Sequence, residues 1–198
     1  MTGPPAERFN AAAFFVDRHL AEGRGERPVF RYRGQRVTYK ALAEQVNRAG
    51  RALAALGVEM EQRVLIALDD SPAFAAVFWG AAKLGAVAVP VNPATRPDEL
   101  AFLLADTRAR VAVVEPGLAP AVGAARPDNP WLRAVLVAGH PAPPDALALD
   151  TCLEQASPDL DPAPTVGEDV LYWGYTSGST GRPKAAVHLH EDFVAAAD

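Results

Sequence analysis

The sequence predicts a three-layer α/β domain, a mostly parallel sheet with helices on both faces. Three observations predict it. The runs Arg63–Leu68, Ala86–Val91 and Ala109–Val114 are short and almost continuously apolar, as strands covered on both faces must be. Segments of helical length separate them, from Ser71-Pro72 to Leu84 and from Pro97 to Asp106. Pro and Gly mark the boundaries: Pro72 and Pro97 suit first helical positions and Gly85 suits a stop. Strand, helix, strand, helix, strand is the pattern of parallel crossover units.

The elements before this core read from local signals. Asn10 suits the cap of a helix over Ala11–Leu20, which Gly23 and Gly25 end. Val29–Tyr32 and Gln35–Thr38 flank Arg33-Gly34 and read as a β-hairpin. Thr38 caps a helix from Tyr39 to Leu56, whose Leu42, Val46, Ala49, Leu53 and Leu56 recur at helical spacing, and Gly57 stops it. After the core, Leu132–Val137 is a fourth strand. Residues 116–130 and 139–168, rich in Pro, Ala and Asp, read as surface connections with a short helix near Thr151–Gln155. Val170–Tyr175 is a further apolar strand.

Composition narrows the function. With 198 residues the chain can hold one domain with a real core. The net charge is −5 and no basic stripe appears, which argues against a nucleic-acid partner. Cys152 is the single cysteine, so an internal disulfide is impossible and a reducing cytoplasm is expected. The first residues lack the apolar region of a signal peptide. The most apolar stretch, Ala73–Ala82, is too short to span a membrane and reads as a buried helix.

The segment with the most chemistry follows the last strand: Tyr175-Thr176-Ser177-Gly178-Ser179-Thr180-Gly181-Arg182-Pro183-Lys184. Gly178 and Gly181 permit positive φ, so that successive N–H groups can turn toward one anion. Thr176, Ser177, Ser179 and Thr180 add short hydroxyl donors, and Lys184 adds a mobile positive charge for a polyphosphate. The spacing is not that of a Walker A loop, since Arg182-Pro183 separates Gly181 from Lys184, and no dinucleotide-binding Gly-x-Gly-x-x-Gly is present. By composition alone a flexible Gly/Ser surface loop would fit as well.

That ten-residue run resembles the signature loop of the adenylate-forming, AMP-binding superfamily, which includes acyl-CoA and aryl-CoA synthetases. Gln35–Leu42 is similar to the family's early Thr-Tyr-x-x-Leu helix start. Ala81–Pro93 is similar to its Lys-x-Gly-Ala-x-x-x-Pro-x-Asn motif. Phe9–His19 and Val187–His190 resemble benzoate-CoA ligases. The resemblance covers nearly the whole chain and implies the N-terminal portion of an acyl-CoA synthetase large domain. It implies two steps, attack of a carboxylate, here an aromatic one, on the α-phosphate of Mg-ATP, and displacement of AMP by coenzyme A. Carrier-protein loading and a non-catalytic nucleotide-binding remnant are the alternatives. It assigns Thr176, Ser177, Gly178, Ser179, Thr180, Gly181 and Lys184 to nucleotide phosphate, and no catalytic acid, base or metal ligand. The family's Mg2+-binding acid, its ribose-binding acid and its catalytic lysine lie after this loop, so residues 1–198 alone are expected to be inactive. One departure is Ala185, where the family usually has glycine; a Cβ there would cost about 1 kcal/mol if the backbone needs positive φ.

Other polar residues receive structural expectations. Lys83, near a helix end, is expected to be solvated or to complement the helix dipole. Asp69 and Asp70 suit loop and capping duty. His190, Glu191 and Asp192 suit a helix start, with His188 and His190 too poor in partners for a metal site. Phe74, Phe78 and Trp79 are expected in the core. Cys152 has no basic neighbour to activate it.

Overall fold

The structure is a computed structural model that describes residues 7–139, 142–176 and 182–195. Asn10 starts the first helical segment, its side-chain oxygen accepting from the N–H groups of Ala12 and Ala13 at 3.1 and 3.3 Å. The turns widen to a π-helix over Ala13–Asp17 before α1, Arg18–Ala21. Strands β1 (Pro28–Tyr32) and β2 (Gln35–Thr38) form a separate antiparallel hairpin. Its turn residues Arg33 and Gly34 have φ of 48° and 80°, as a two-residue turn of the right twist requires. Thr38 then caps α2, Tyr39–Ala55, by accepting from the Ala41 N–H at 3.2 Å.

The main sheet begins with β3, Arg63–Ala67. Ser71 caps α3, Pro72–Lys83, which leads to β4, Val87–Pro90. Helix α4, Pro97–Thr107, leads to β5, Val111–Val114. Helix α5, Ala119–Ala125, leads to β6, Ala134–Val137. Then follow β7 (Leu147–Ala148), α6 (Leu149–Gln155), β8 (Val170–Thr176), β9 (Lys184–Leu189) and α7 (Asp192–Ala195). The strand order is β7-β6-β5-β3-β4-β8-β9, with every pair parallel except β8–β9.

Alternation along the strands sorts the core into two layers. Val64, Ile66, Val111, Val113 and Leu136 face a cluster with Ala49 and Leu53 of α2, Val77 and Ala81 of α3 and Leu153 of α6. Leu65, Ala67, Ala112, Val114 and Val137 face the other way, onto Leu100 and Leu104 of α4 and Val122 of α5. Both faces are apolar because both are covered. On the first face α2 and α3 meet at Gly50 and Gly80, where a Cβ on Gly80 would lie 2.8 Å from the Gly50 nitrogen.

Three expectations fail. Residues 116–130 are not merely surface connection: α5 lies there, with Ala119, Val122 and Ala125 buried. Small residues and Pro120 hide its apolar face, which three side chains supply. Lys83 is not solvated: only 3% of it is exposed, and its ammonium lies 2.7 Å from the Asp17 carboxylate and donates to the Asn47 side-chain Oδ1 at 2.6 Å. These partners sit on other helices, beyond the reach of a local pattern. Of the three aromatics assigned to the core, Phe78 is buried, while Phe74 and Trp79 are only partly so.

Candidate functional site

Strands β8 and β9 form an antiparallel hairpin whose last register pair is Thr176 with Lys184. The Thr176 hydroxyl reaches the Lys184 carbonyl oxygen at 3.5 Å. Because β8 runs parallel to β4, this end of the hairpin lies at the carboxyl edge of the parallel strands. Open α/β sheets bind ligands outside that edge. Among the seven residues expected to hold phosphate, the structure brings Thr176 and Lys184 together. Ser177, Gly178, Ser179, Thr180 and Gly181 lie outside the described residues.

Both described members are exposed, and among the described residues Lys184 has no carboxylate in ion-pair range. A threonine hydroxyl and an exposed ammonium flanking one hairpin end can meet the oxygens of a polyphosphate. Strand β9 itself is not expected from the sequence, whose motif places Lys184 at the end of a loop. The strand also settles the question at Ala185. It pairs with Tyr175 in the ladder and is not among the residues with positive φ, so its Cβ carries no left-handed strain.

Beside the hairpin end is a cleft of about 370 Å³. Thr176, Tyr175 and Pro183 form one wall and Pro90–Pro93, at and beyond the end of β4, the floor; Asp70, Phe74, Glu99 and Leu103 are among the other lining residues. The Asn92 side chain is engaged in its own turn, its oxygen accepting from the Ala94 N–H at 2.8 Å. Sequence reasoning found Pro90–Pro93 only as a motif and missed Asp70 and Glu99 as wall residues. No spacing rule joins positions so far apart. Asp69 and Asp70 occupy the loop after β3, but capping of α3 falls to Ser71, whose Oγ accepts from the Phe74 N–H at 3.2 Å.

Helix α4 touches both stems of the hairpin end. The Tyr175 hydroxyl donates to the Asp106 carboxylate at 2.5 Å. Burial first, and then that carboxylate, push the phenol well above its ordinary value, so it stays a donor at neutral pH. On the other stem the Arg182 guanidinium lies 5.6 Å over the Phe102 ring.

The histidines do other work. His188 stacks on Tyr172 with ring centroids 4.3 Å apart, and His190 is wholly buried. Among the described residues no three or more His, Cys, Asp or Glu are grouped to hold a metal ion. Burial raises the Cys152 thiol, which keeps it protonated and unreactive.

The profile of the AMP-binding enzyme family matches residues 17–198. The chain is 39% identical over 186 residues to a 4-hydroxybenzoate–CoA/benzoate–CoA ligase of Rhodopseudomonas palustris, covering 94% of this chain and 34% of that protein. It is 38% identical over 200 residues to a benzoate–CoA ligase of Thauera aromatica, covering 98% of this chain and 37% of the relative. An anthranilate CoA ligase solved in complex with anthranoyl-AMP superposes with a TM-score of 0.90 at 29% identity, over 96% of this chain and 36% of its own. A benzoate CoA ligase from Burkholderia xenovorans gives 0.82 at 28% identity, with the same coverage of 96% and 36%. The chain thus spans about a third of the length of these curated relatives. With the hairpin end at the carboxyl edge of the sheet and the profile running through it, the chain belongs to the AMP-binding enzyme family.

Proposed function

We propose that the polypeptide carrying this chain is an acid–thiol ligase that activates an aromatic carboxylic acid with ATP and transfers the acyl group to coenzyme A. The observation that supports this most is the pairing of Thr176 with Lys184 at the carboxyl edge of the sheet, within a chain similar throughout to aryl-CoA ligases. Residues 1–198 are then the N-terminal portion of an AMP-binding domain, with its phosphate-binding loop at 175–185.

In the first step a carboxylate oxygen bonds to the α-phosphorus of ATP. The bond from that phosphorus to the oxygen bridging to the β-phosphate breaks, and pyrophosphate leaves with the electron pair. In the second, the sulfur of coenzyme A bonds to the acyl carbon, AMP leaves, and the thiol proton is released. Negative charge grows on the pyrophosphate in the first step. A fixed ammonium and hydroxyls aimed at it lower the barrier because they need no reorganisation as the charge appears. Lys184 supplies the ammonium, and Thr176, Ser177, Ser179 and Thr180 the hydroxyls. Gly178 and Gly181 let backbone N–H groups approach. Mg2+ supplies charge neutralisation on the phosphates when bound, through ligands outside the residues assigned here.

No helix among the described residues is long and apolar enough to cross a membrane. A cytoplasmic location, where ATP and coenzyme A are supplied, fits the single cysteine.

The test is to purify the full-length gene product and incubate it with Mg-ATP, coenzyme A and separate acids: benzoate, hydroxybenzoates, anthranilate, acetate and a long-chain fatty acid. Benzoate-type acids should give AMP and the aryl-CoA thioester in equal amounts. AMP release without free thioester would move the acceptor to a carrier-protein thiol. No acid-dependent AMP from any of these acids would contradict the proposal.

A further inference from the structure

We propose that Asp106 and Phe102 of α4 are positioning residues for the nucleotide site: they hold, through Tyr175 and Arg182, the two stems that carry Thr176 and Lys184. This rests on the reading of Thr176 and Lys184 as phosphate-binding residues.

The sheet by itself gives the hairpin end little support. Strand β4 ends at Pro90, two residues past Ala88, which is paired with Tyr172 of β8, so Tyr175 and Thr176 run on past the end of β4. On the other side β8 pairs with β9, which is the last strand in the described sheet. A two-stranded ribbon that runs past its neighbouring strand is marginally held by its own ladder. Phosphate contacts made by a threonine hydroxyl and a lysine ammonium lose their effect if the stems drift by about 1 Å.

Helix α4 supplies what the sheet does not. It is seated by Leu100, Leu103 and Leu104, all buried in the second core layer. Phe102 and Asp106 are four residues apart and therefore lie on one face of the helix. That face meets the hairpin end twice, once on β8 and once on the residues that lead into β9. Asp106 takes the hydroxyl of Tyr175, one residue before Thr176, and Phe102 takes the guanidinium of Arg182, two residues before Lys184. The two contacts differ in chemistry but share one helix, so a shift of α4 moves both stems together. Leu103 and Glu99 of the same helix line the adjoining cleft, so the cleft wall and the stems are a single unit.

The experiment has an activity-free arm and an activity arm, both on the full-length gene product. In the first, amide hydrogen exchange is followed in the wild type and in Asp106→Ala, Tyr175→Phe and Phe102→Leu. The amides of residues 176 and 184 should exchange faster in each variant, while β3, β5 and β6 keep wild-type protection. In the second arm, acid-dependent exchange of labelled pyrophosphate into ATP is measured. Tyr175→Phe and Asp106→Ala should each raise KM for ATP about fivefold, the effect of one lost hydrogen bond, with KM for the acid unchanged. Asp106→Asn, which keeps an acceptor oxygen, should recover much of the loss. The double variant Tyr175→Phe/Asp106→Ala should be no worse than either single one. Wild-type exchange rates at residues 176 and 184 in Asp106→Ala overturn the proposal whatever the activity. Acid and ATP KM values that rise together, with a global loss of protection, overturn it too, because they mark a role in stability alone. A wild type with these protected amides and no acid-dependent pyrophosphate exchange counts against the functional reading, while the exchange data still decide whether α4 holds the stems.

Discussion

His190 accepts the backbone N–H of Ala11 through Nδ1 at 3.0 Å, which joins the residue after β9 to the start of the first helix. The two residues are 179 positions apart, and both are wholly buried. With Nδ1 accepting, the ring is neutral and its proton sits on Nε2, which has no hydrogen-bond partner among the described residues. Burial lowers the imidazole below its ordinary value, with Asp169 pulling weakly the other way.

The sign of the pH effect follows. A histidine lowered in the fold binds its proton more readily when unfolded. Its contribution is therefore fully present above about pH 6.5 and is lost as pH falls below that value. Urea unfolding midpoints of this chain should be lower at pH 5.5 than at pH 7.5. His190→Gln, which keeps an acceptor for Ala11, should flatten that dependence, leaving the part due to His19, which burial also lowers. An equally steep dependence in the variant would show that His190 is not the group responsible.

The Lys83–Asp17 pair should be asymmetric. Asp17→Ala leaves a buried ammonium with Asn47 as its remaining described partner, and removing one partner of a buried pair costs about 3–5 kcal/mol. Lys83→Met keeps the volume and leaves Asp17, whose side chain is 29% exposed, free to rehydrate. Urea unfolding should therefore show a clearly larger loss for Asp17→Ala than for Lys83→Met. Equal losses would contradict the account of this pair.

Where α2 meets α3, Gly80→Ala should destabilise by about 1–3 kcal/mol, more than the roughly 1 kcal/mol that alanine gains in helix propensity. Its Cβ would lie 2.8 Å from the Gly50 nitrogen and 2.9 Å from the Val46 oxygen, and backbone atoms of two packed helices cannot step aside. Gly50→Ala should be milder, because its tightest neighbour is the end of the Leu160 side chain, which can move. Thermal unfolding of both variants checks the order.

What was legible in the sequence follows from the range of each signal. The runs at Arg63–Leu68, Ala86–Val91 and Ala109–Val114 appear as β3, β4 and β5, because burial on both faces writes apolar residues at every position. Asn10, Thr38 and Ser71 act as caps within three residues of the groups they bind. Ala119–Ala125 was illegible because alanine, proline and glycine serve a loop as well as a helix with one narrow buried face. Strand β9 was illegible because its first four residues are exposed and show no alternation. At the site, Thr176 and Lys184 were readable from the loop motif. The contacts of Asp106 and Phe102 with its stems were not, since they depend on where α4 lies beside the hairpin end.

The central claim is that Lys184 stands against the phosphates of ATP. Its most direct test is acid-dependent exchange of labelled pyrophosphate into ATP by the full-length gene product, wild type against Lys184→Ala, with benzoate as the acid. Loss of one charge-assisted contact of about 1.5–3 kcal/mol predicts a rate roughly 10- to 150-fold lower in the variant, with benzoate affinity little changed. Exchange at the wild-type rate in Lys184→Ala would remove Lys184 from the site and contradict the account.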